Sequence, residues 1–166
     1  MTQDDRSVPT TQIYEVYIKA TPQAIWDAIT TPEWTARFGY QGPVEYDLHP
    51  GGRFRALPSA AMVAMGMTGT LVDGEVIESD PPNKLVQTYR FLVSEQTTAE
   101  GYSRLTYDLA ATASGFTRLT VTHELRGQPI MAAMVASKFS EQGTGGWSWI
   151  LSDLKSVLET GSAMGG

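Results

Sequence analysis

The polar and apolar positions of this chain change their period along its length. From Ile13 to Ile18 they alternate, with Tyr14, Val16 and Ile18 sharing one side, which is the pattern of a half-buried strand. The two-residue period returns downstream. Leu105, Tyr107, Leu109 and Ala111 lie opposite Thr106 and Asp108, and Leu119, Val121, His123 and Leu125 lie opposite Thr120 and Thr122. One side suits a core and the other suits water, as in an antiparallel sheet solvated on one face. Strands are expected at residues 13–18, 44–48, 52–57, 67–78, 84–93, 103–113 and 116–125. Pro50-Gly51-Gly52, Asp80-Pro81-Pro82-Asn83 and Ser114-Gly115 supply turns between them.

Elsewhere the period lengthens to that of a helix. Thr21 can cap and Pro22 can start a helix whose apolar side is Ile25, Trp26 and Ile29, since proline lacks an N–H that would be unpaired at that position anyway. Thr31-Pro32-Glu33-Trp34 repeats the signal for a short second helix ending near Gly39. Pro129 to Phe139 reads as helical or irregular. From about Ser140 a long helix follows, with its stripe at Trp147, Ile150, Leu151, Leu154 and Leu158. Trp149 falls outside that stripe and needs a separate cover. A long helix with one apolar face, preceded by antiparallel strands, needs the sheet to cover it. The expected fold is therefore α+β, a curved antiparallel sheet around the C-terminal helix with two short helices after the first strand.

With 166 residues the chain suits one domain, placed at 12–160 between flexible tails at 1–11 and 161–166. The net charge of −6 and the scattering of Lys and Arg argue against nucleic acid as a partner. The longest uncharged stretch, Ala56 to Val72, is broken by Pro58, Gly66 and Gly69, so no membrane insertion is expected. There is no cysteine and there are two histidines, so neither a disulfide framework nor a metal site is expected, and no cofactor is called for. The first residues lack a signal-peptide pattern, and a cytoplasmic location is the expectation.

Five motifs in order carry a family resemblance. They are Ala20-Thr21-Pro22 before Ile25-Trp26, Pro50-Gly51-Gly52-Arg53-Phe54, Asp80-Pro81-Pro82-Asn83-Lys84-Leu85, Thr117-Arg118-Leu119-Thr120-Val121-Thr122-His123-Glu124, and Gly145-Gly146-Trp147. Over about residues 12–160 the chain resembles the SRPBCC (START-like) superfamily, in the branch related to the activator of the ninety-kilodalton heat-shock protein ATPase. The resemblance implies the helix-grip fold and a cavity that holds a small hydrophobic molecule, aromatic or lipid-like, for a carrier or sensor. It also implies two alternatives: a polyketide cyclase, dehydratase or hydrolase using the same cavity, and a co-chaperone-like interaction module. The heat-shock activators proper join this domain to a separate N-terminal one, so co-chaperone activity is the lesser expectation. The branch has no fixed catalytic set to carry over.

Among individual residues, His123 is expected to face the helix. The plain reading is a core histidine with a satisfied ring, and the alternative is a general base. Tyr89 and Tyr107 are inward phenols, able either to fill the core or to orient a ligand and handle protons. Arg53 and Arg55 flank Phe54; with Phe54 inward both arginines are solvated. Met62, Met65 and Met67 in one apolar segment, and Met131 and Met134 in another, suit either the mouth of a pocket or a homodimer contact. The candidate ligand-binding set is Trp34, Phe38, Phe54, Met65, Met67, Gln87, Tyr89, Tyr107, Val121, His123, Met131, Met134, Trp147 and Leu151.

Overall fold

The computed structural model describes residues 10–136 and 145–164. The strands are β1 (Thr11–Ile18), β2 (Val44–Tyr46), β3 (Arg53–Ala56), β4 (Val72–Asp80), β5 (Lys84–Phe91), β6 (Ser103–Ala111) and β7 (Thr117–Glu124). They form one seven-stranded antiparallel sheet in the order β1-β7-β6-β5-β4-β3-β2. After β1 come the short helices α1 (Pro22–Thr30) and α2 (Pro32–Thr35). Later come α3 (Ala60–Ala64), α4 (Glu95–Glu100), α5 (Pro129–Val135) and the long α6 (Gly146–Thr160). This is the helix-grip arrangement, with α6 packed inside the curve of the sheet.

The alternation of the sequence decides which side of the sheet faces α6. Along β6, Leu105, Tyr107 and Leu109 are buried, and along β7 so are Leu119, Val121 and His123. Ile18, Ile25, Leu85, Leu105, Leu119 and Leu154 are almost wholly enclosed, each burial being worth about 1.5–3 kcal/mol. The register shifts between Val76 and Glu78 where β4 meets β5, and such a bulge increases local twist and bends the sheet toward the helix. Close by, Gly74 lies so near β5 that a Cβ there would stand 1.9 Å from the Thr88 carbonyl oxygen.

Start signals work as their chemistry requires. The Thr21 hydroxyl accepts from Ala24 N at 3.1 Å, and Ser59 caps α3 by accepting from Met62 N at 3.2 Å. The strand expected from Met67 begins only at Val72, because Gly66 and Gly69 take positive φ angles of 92° and 87° that turn the chain first. Helix α4 was not foreseen. Its Glu-Gln-Thr-Thr-Ala-Glu has no apolar periodicity, and only the reciprocal Ser94 and Thr97 capping box announces it. Helix α6 is described from Gly146. The expected start near Ser140, like the end of the segment running to Phe139, lies outside the described residues, as does most of the expected N-terminal tail. Gly146 takes φ 76°, and a Cβ there would lie 2.6 Å from the Ala136 carbonyl oxygen, so only glycine lets α6 begin hard against the end of α5. Residues 161–164 fold back on α6, where the Ser156 hydroxyl donates to the Ser162 carbonyl at 2.8 Å.

Candidate functional site: an aromatic cavity under the C-terminal helix

A cavity of about 380 Å³ lies between α6 and the sheet, mostly against β2–β5 and reaching Tyr107 of β6 and Leu119 of β7. Strand alternation places Tyr46, Phe54, Tyr89, Phe91 and Tyr107 in its wall, and the helical stripe adds Trp147, Ile150, Leu151 and Leu154. The rings touch one another. Tyr46 and Phe54 have centroids 4.6 Å apart, and Phe54 stacks on Tyr89 at 5.9 Å. Tyr107 meets Trp147 edge-on at 6.2 Å. The better exposed lining residues, Tyr40, Met67, Val93 and Met134, mark the mouth. No Asp, Glu, Lys, Arg or His lines the cavity among the described residues.

Three phenols converge here with different partners. Tyr46 donates to Gln87 Oε1 at 2.6 Å, and Gln87 is fully enclosed behind the wall. The Tyr89 and Tyr107 hydroxyls make no hydrogen bond among the described residues. Burial first, then the neighbouring phenols, pushes all three well above the ordinary tyrosine range, so they remain O–H donors at any physiological pH.

His123 stands one layer behind. The indole N–H of Trp147 donates to its Nδ1 at 3.1 Å, so that nitrogen is an acceptor and the proton of the neutral ring resides on Nε2. Nε2 donates to Ser103 Oγ at 2.6 Å, and Ser103 donates onward to the Tyr89 carbonyl at 2.9 Å. Every polar atom in this relay is used. Burial pulls the His123 pKa down from 6.5 to about 3, which keeps the ring neutral. A fully enclosed imidazole with both nitrogens occupied has no free lone pair to offer a substrate. Its visible role is to fix the Trp147 ring in the cavity wall.

Of the candidate ligand-binding residues, Phe38, Phe54, Met67, Tyr89, Tyr107, Met134, Trp147 and Leu151 line the cavity. Gln87, Val121, His123 and Met131 do not. They are fully buried in the layer behind, where Met131 Sδ lies 3.5 Å from Ser103 Oγ. Trp34 is half-buried, with the Arg37 guanidinium 4.5 Å over its ring, and is also outside the lining. Met65 is corrected most sharply. At 86 % exposure it points to solvent, because the short helix α3 turns Met62 toward the cavity and leaves Met65 at its C-cap facing out. Phe54 points inward and Arg53 is exposed, with Arg55 paired to Glu45.

Sequence reasoning missed Tyr40, Tyr46 and Ile150 as wall residues, although Ile150 was already in the helical stripe. It also missed Asp153. This carboxylate is 4 % exposed, with Oδ2 accepting from Gly39 N and Oδ1 from Met164 N, each at 2.7 Å. It ties the loop that borders the cavity to the middle of α6. The available signal was its position, three residues after Ile150 and four before Val157, inside the buried stripe. Trp149 finds its cover in Tyr40, with ring centroids 5.5 Å apart. No group of three His, Cys, Asp or Glu placed to hold a metal ion occurs among the described residues, and no helix is long and apolar enough to cross a membrane.

A sheet wrapped around a C-terminal helix, with an uncharged aromatic cavity between them, defines a helix-grip protein of the SRPBCC type. Residues 19–159 match the family described as Activator of Hsp90 ATPase homolog 1-like protein, and the chain belongs to that family. Solved structures agree in fold. Protein MLL2253 from Mesorhizobium loti has a TM-score of 0.65 at 21% identity, covering 90% of this chain and 96% of its own. The Aha1 dimer from Colwellia psychrerythraea has a TM-score of 0.60 at 16% identity, covering 91% and 97%. DynU16, a protein of the dynemicin biosynthetic locus, has a TM-score of 0.65 at 21% identity, covering 93% of this chain and 49% of its own. No curated protein matches the chain.

Proposed function

We propose that this protein binds a small hydrophobic molecule between the sheet and α6 and acts as its carrier or sensor, as a single domain of residues 12–160 in the cytoplasm. The observation that carries this reading is the cavity of about 380 Å³ walled by aromatic rings. That volume lies in the range of small-molecule sites, whose walls are mostly apolar with few polar groups. Binding supports the reading better than catalysis does, because His123 is spent on Ser103 and Trp147 and the phenols are held far from deprotonation at neutral pH. The similarity to DynU16 keeps a biosynthetic enzyme as the rival.

Native mass spectrometry of protein purified from its own host tests the reading directly. The expected result is a co-purifying small molecule that is lost from Ala56→Phe, in which a ring grows from β3 into the cavity while the circular dichroism spectrum stays unchanged. Equal retention of the molecule by a folded Ala56→Phe variant would place binding elsewhere. A second reading, a homodimer, draws on the solvent-facing Val63 and Met65 of α3 and on the dimeric Aha1 relative. It expects sedimentation to shift from dimer to monomer in Met65→Asp.

A further inference from the structure

The cavity holds a chemical specification. Tyr107 is 9 % exposed and lines the cavity, and its hydroxyl makes no hydrogen bond among the described residues. The Tyr89 hydroxyl is likewise unused, since the interactions of Tyr89 run through its backbone oxygen and its ring. Without a ligand, water can serve both phenols. A ligand that displaces this water must return an acceptor to each donor or lose the bond, and a buried donor left alone costs much of what apolar contact gains. Among the described residues, Tyr46 alone of the three inward phenols has a hydrogen-bond partner.

A second observation is independent of the first. Among the described residues the lining contains no cationic side chain, and Arg53, Arg55 and Arg90 lie on the other side of the sheet, with Arg90 bidentate on Asp73 at 2.8 and 3.0 Å. A carboxylate entering the cavity would be stripped of water with no counter-ion, which is among the costliest transfers in a protein interior. The walls are flat rings, and at close packing the space takes on the order of 15–20 non-hydrogen atoms, about three fused rings.

Resting on the binding role above, we propose that the cavity selects uncharged planar aromatic molecules that carry an acceptor oxygen, anchors that oxygen through the hydroxyls of Tyr107 and Tyr89, and rejects carboxylates. A fatty acid is therefore the wrong class of ligand, and an aromatic ketone or ether the right one.

Isothermal titration calorimetry with three probes of one shape tests this: fluorenone, fluorene and fluorene-9-carboxylate. In the natural protein, fluorenone is expected to bind about fivefold more tightly than fluorene, the equivalent of about 1 kcal/mol for a net hydrogen bond, and the carboxylate at least about 100-fold more weakly than fluorenone. Tyr107→Phe removes a hydroxyl that has no partner among the described residues, so the fold should persist. Fluorene affinity should stay while the preference for fluorenone falls by half or more, with Tyr89→Phe removing the remainder. Should fluorenone and fluorene bind alike and Tyr107→Phe change neither, the anchor is refuted while cavity binding stands. Tightest binding by the carboxylate would refute charge exclusion. Binding of none of the three, together with no co-purifying molecule in native mass spectrometry, would bring down both this proposal and the binding role.

Discussion

Neutral His123 makes the stability of the protein depend on pH in a defined window. In the unfolded chain its imidazole takes up a proton below about 6.5, whereas burial delays protonation in the folded protein to about 3. Between these values the unfolded state binds more protons, so stability rises with pH from about 3 to 6.5 and levels off above. At pH 5, about 1.5 below the pKa of the unfolded chain, about 2 kcal/mol is lost relative to pH 7.5, growing to about 4–5 kcal/mol by pH 3. The structural cause is specific, since a protonated Nδ1 would point an N–H at the indole N–H of Trp147, 3.1 Å away. The assay is urea unfolding followed by circular dichroism at several pH values from 5 to 7.5. His123→Gln serves as the reference, because glutamine supplies a donor and an acceptor but does not titrate. Carboxylates begin to titrate near the bottom of this range in both proteins, so the difference between the two curves isolates the histidine. The exposed His49, which Pro50 and Asp47 shift upward, cancels in the same way. The natural protein should lose about 2 kcal/mol more than the variant on going from pH 7.5 to 5. Parallel curves would refute the argument, and so would a variant with the steeper slope.

Two further substitutions test how the cavity wall is held. Asp153→Ala removes a carboxylate that accepts from Gly39 N and Met164 N, and should cost about 2–3 kcal/mol in the same urea assay; Asp153→Asn, which keeps one acceptor oxygen, should cost less. Gly146→Ala forces a side chain into a left-handed conformation against Ala136 and should cost about 2–4 kcal/mol, with a change in Trp147 near-ultraviolet circular dichroism as the helix start moves. Unchanged stability in either case would show that the contact is not held in solution.

The sheet was legible because its inner face repeats every two residues over long segments, as at Leu105, Tyr107 and Leu109, and seven strands appear in the expected order, with β4 starting five residues late at Val72. The α6 stripe was legible for the same reason at the helical period. Periodicity carries no depth, however. Tyr107, Val121 and His123 occupy equivalent inward positions, yet Tyr107 reaches the cavity while Val121 and His123 are sealed behind it. Depth depends on where α6 parts from the sheet, which is a tertiary property. Ser103 as the partner of His123 was invisible likewise, because the two, 20 positions apart, meet only through the pairing of β6 with β7. Met65 misled for a local reason. Apolar composition marked its segment, but which methionine turns inward is set by the one-turn helix that Ser59 caps.

The cavity is set off to one side of the sheet, and that offset divides the molecule's labour. Ile18, Leu105, Leu109 and Leu125 fill the interior around β1, β6 and β7, while Val44, Tyr46, Phe54 and Ala56 on the short strands β2 and β3 border the cavity. The half that makes the fold cohesive is therefore largely not the half that borders the cavity. Drift of wall residues on β2 and β3 can reshape the cavity with little loss of cohesion, so a lineage built on this frame is free to remodel that space while the strands that keep it folded stay put.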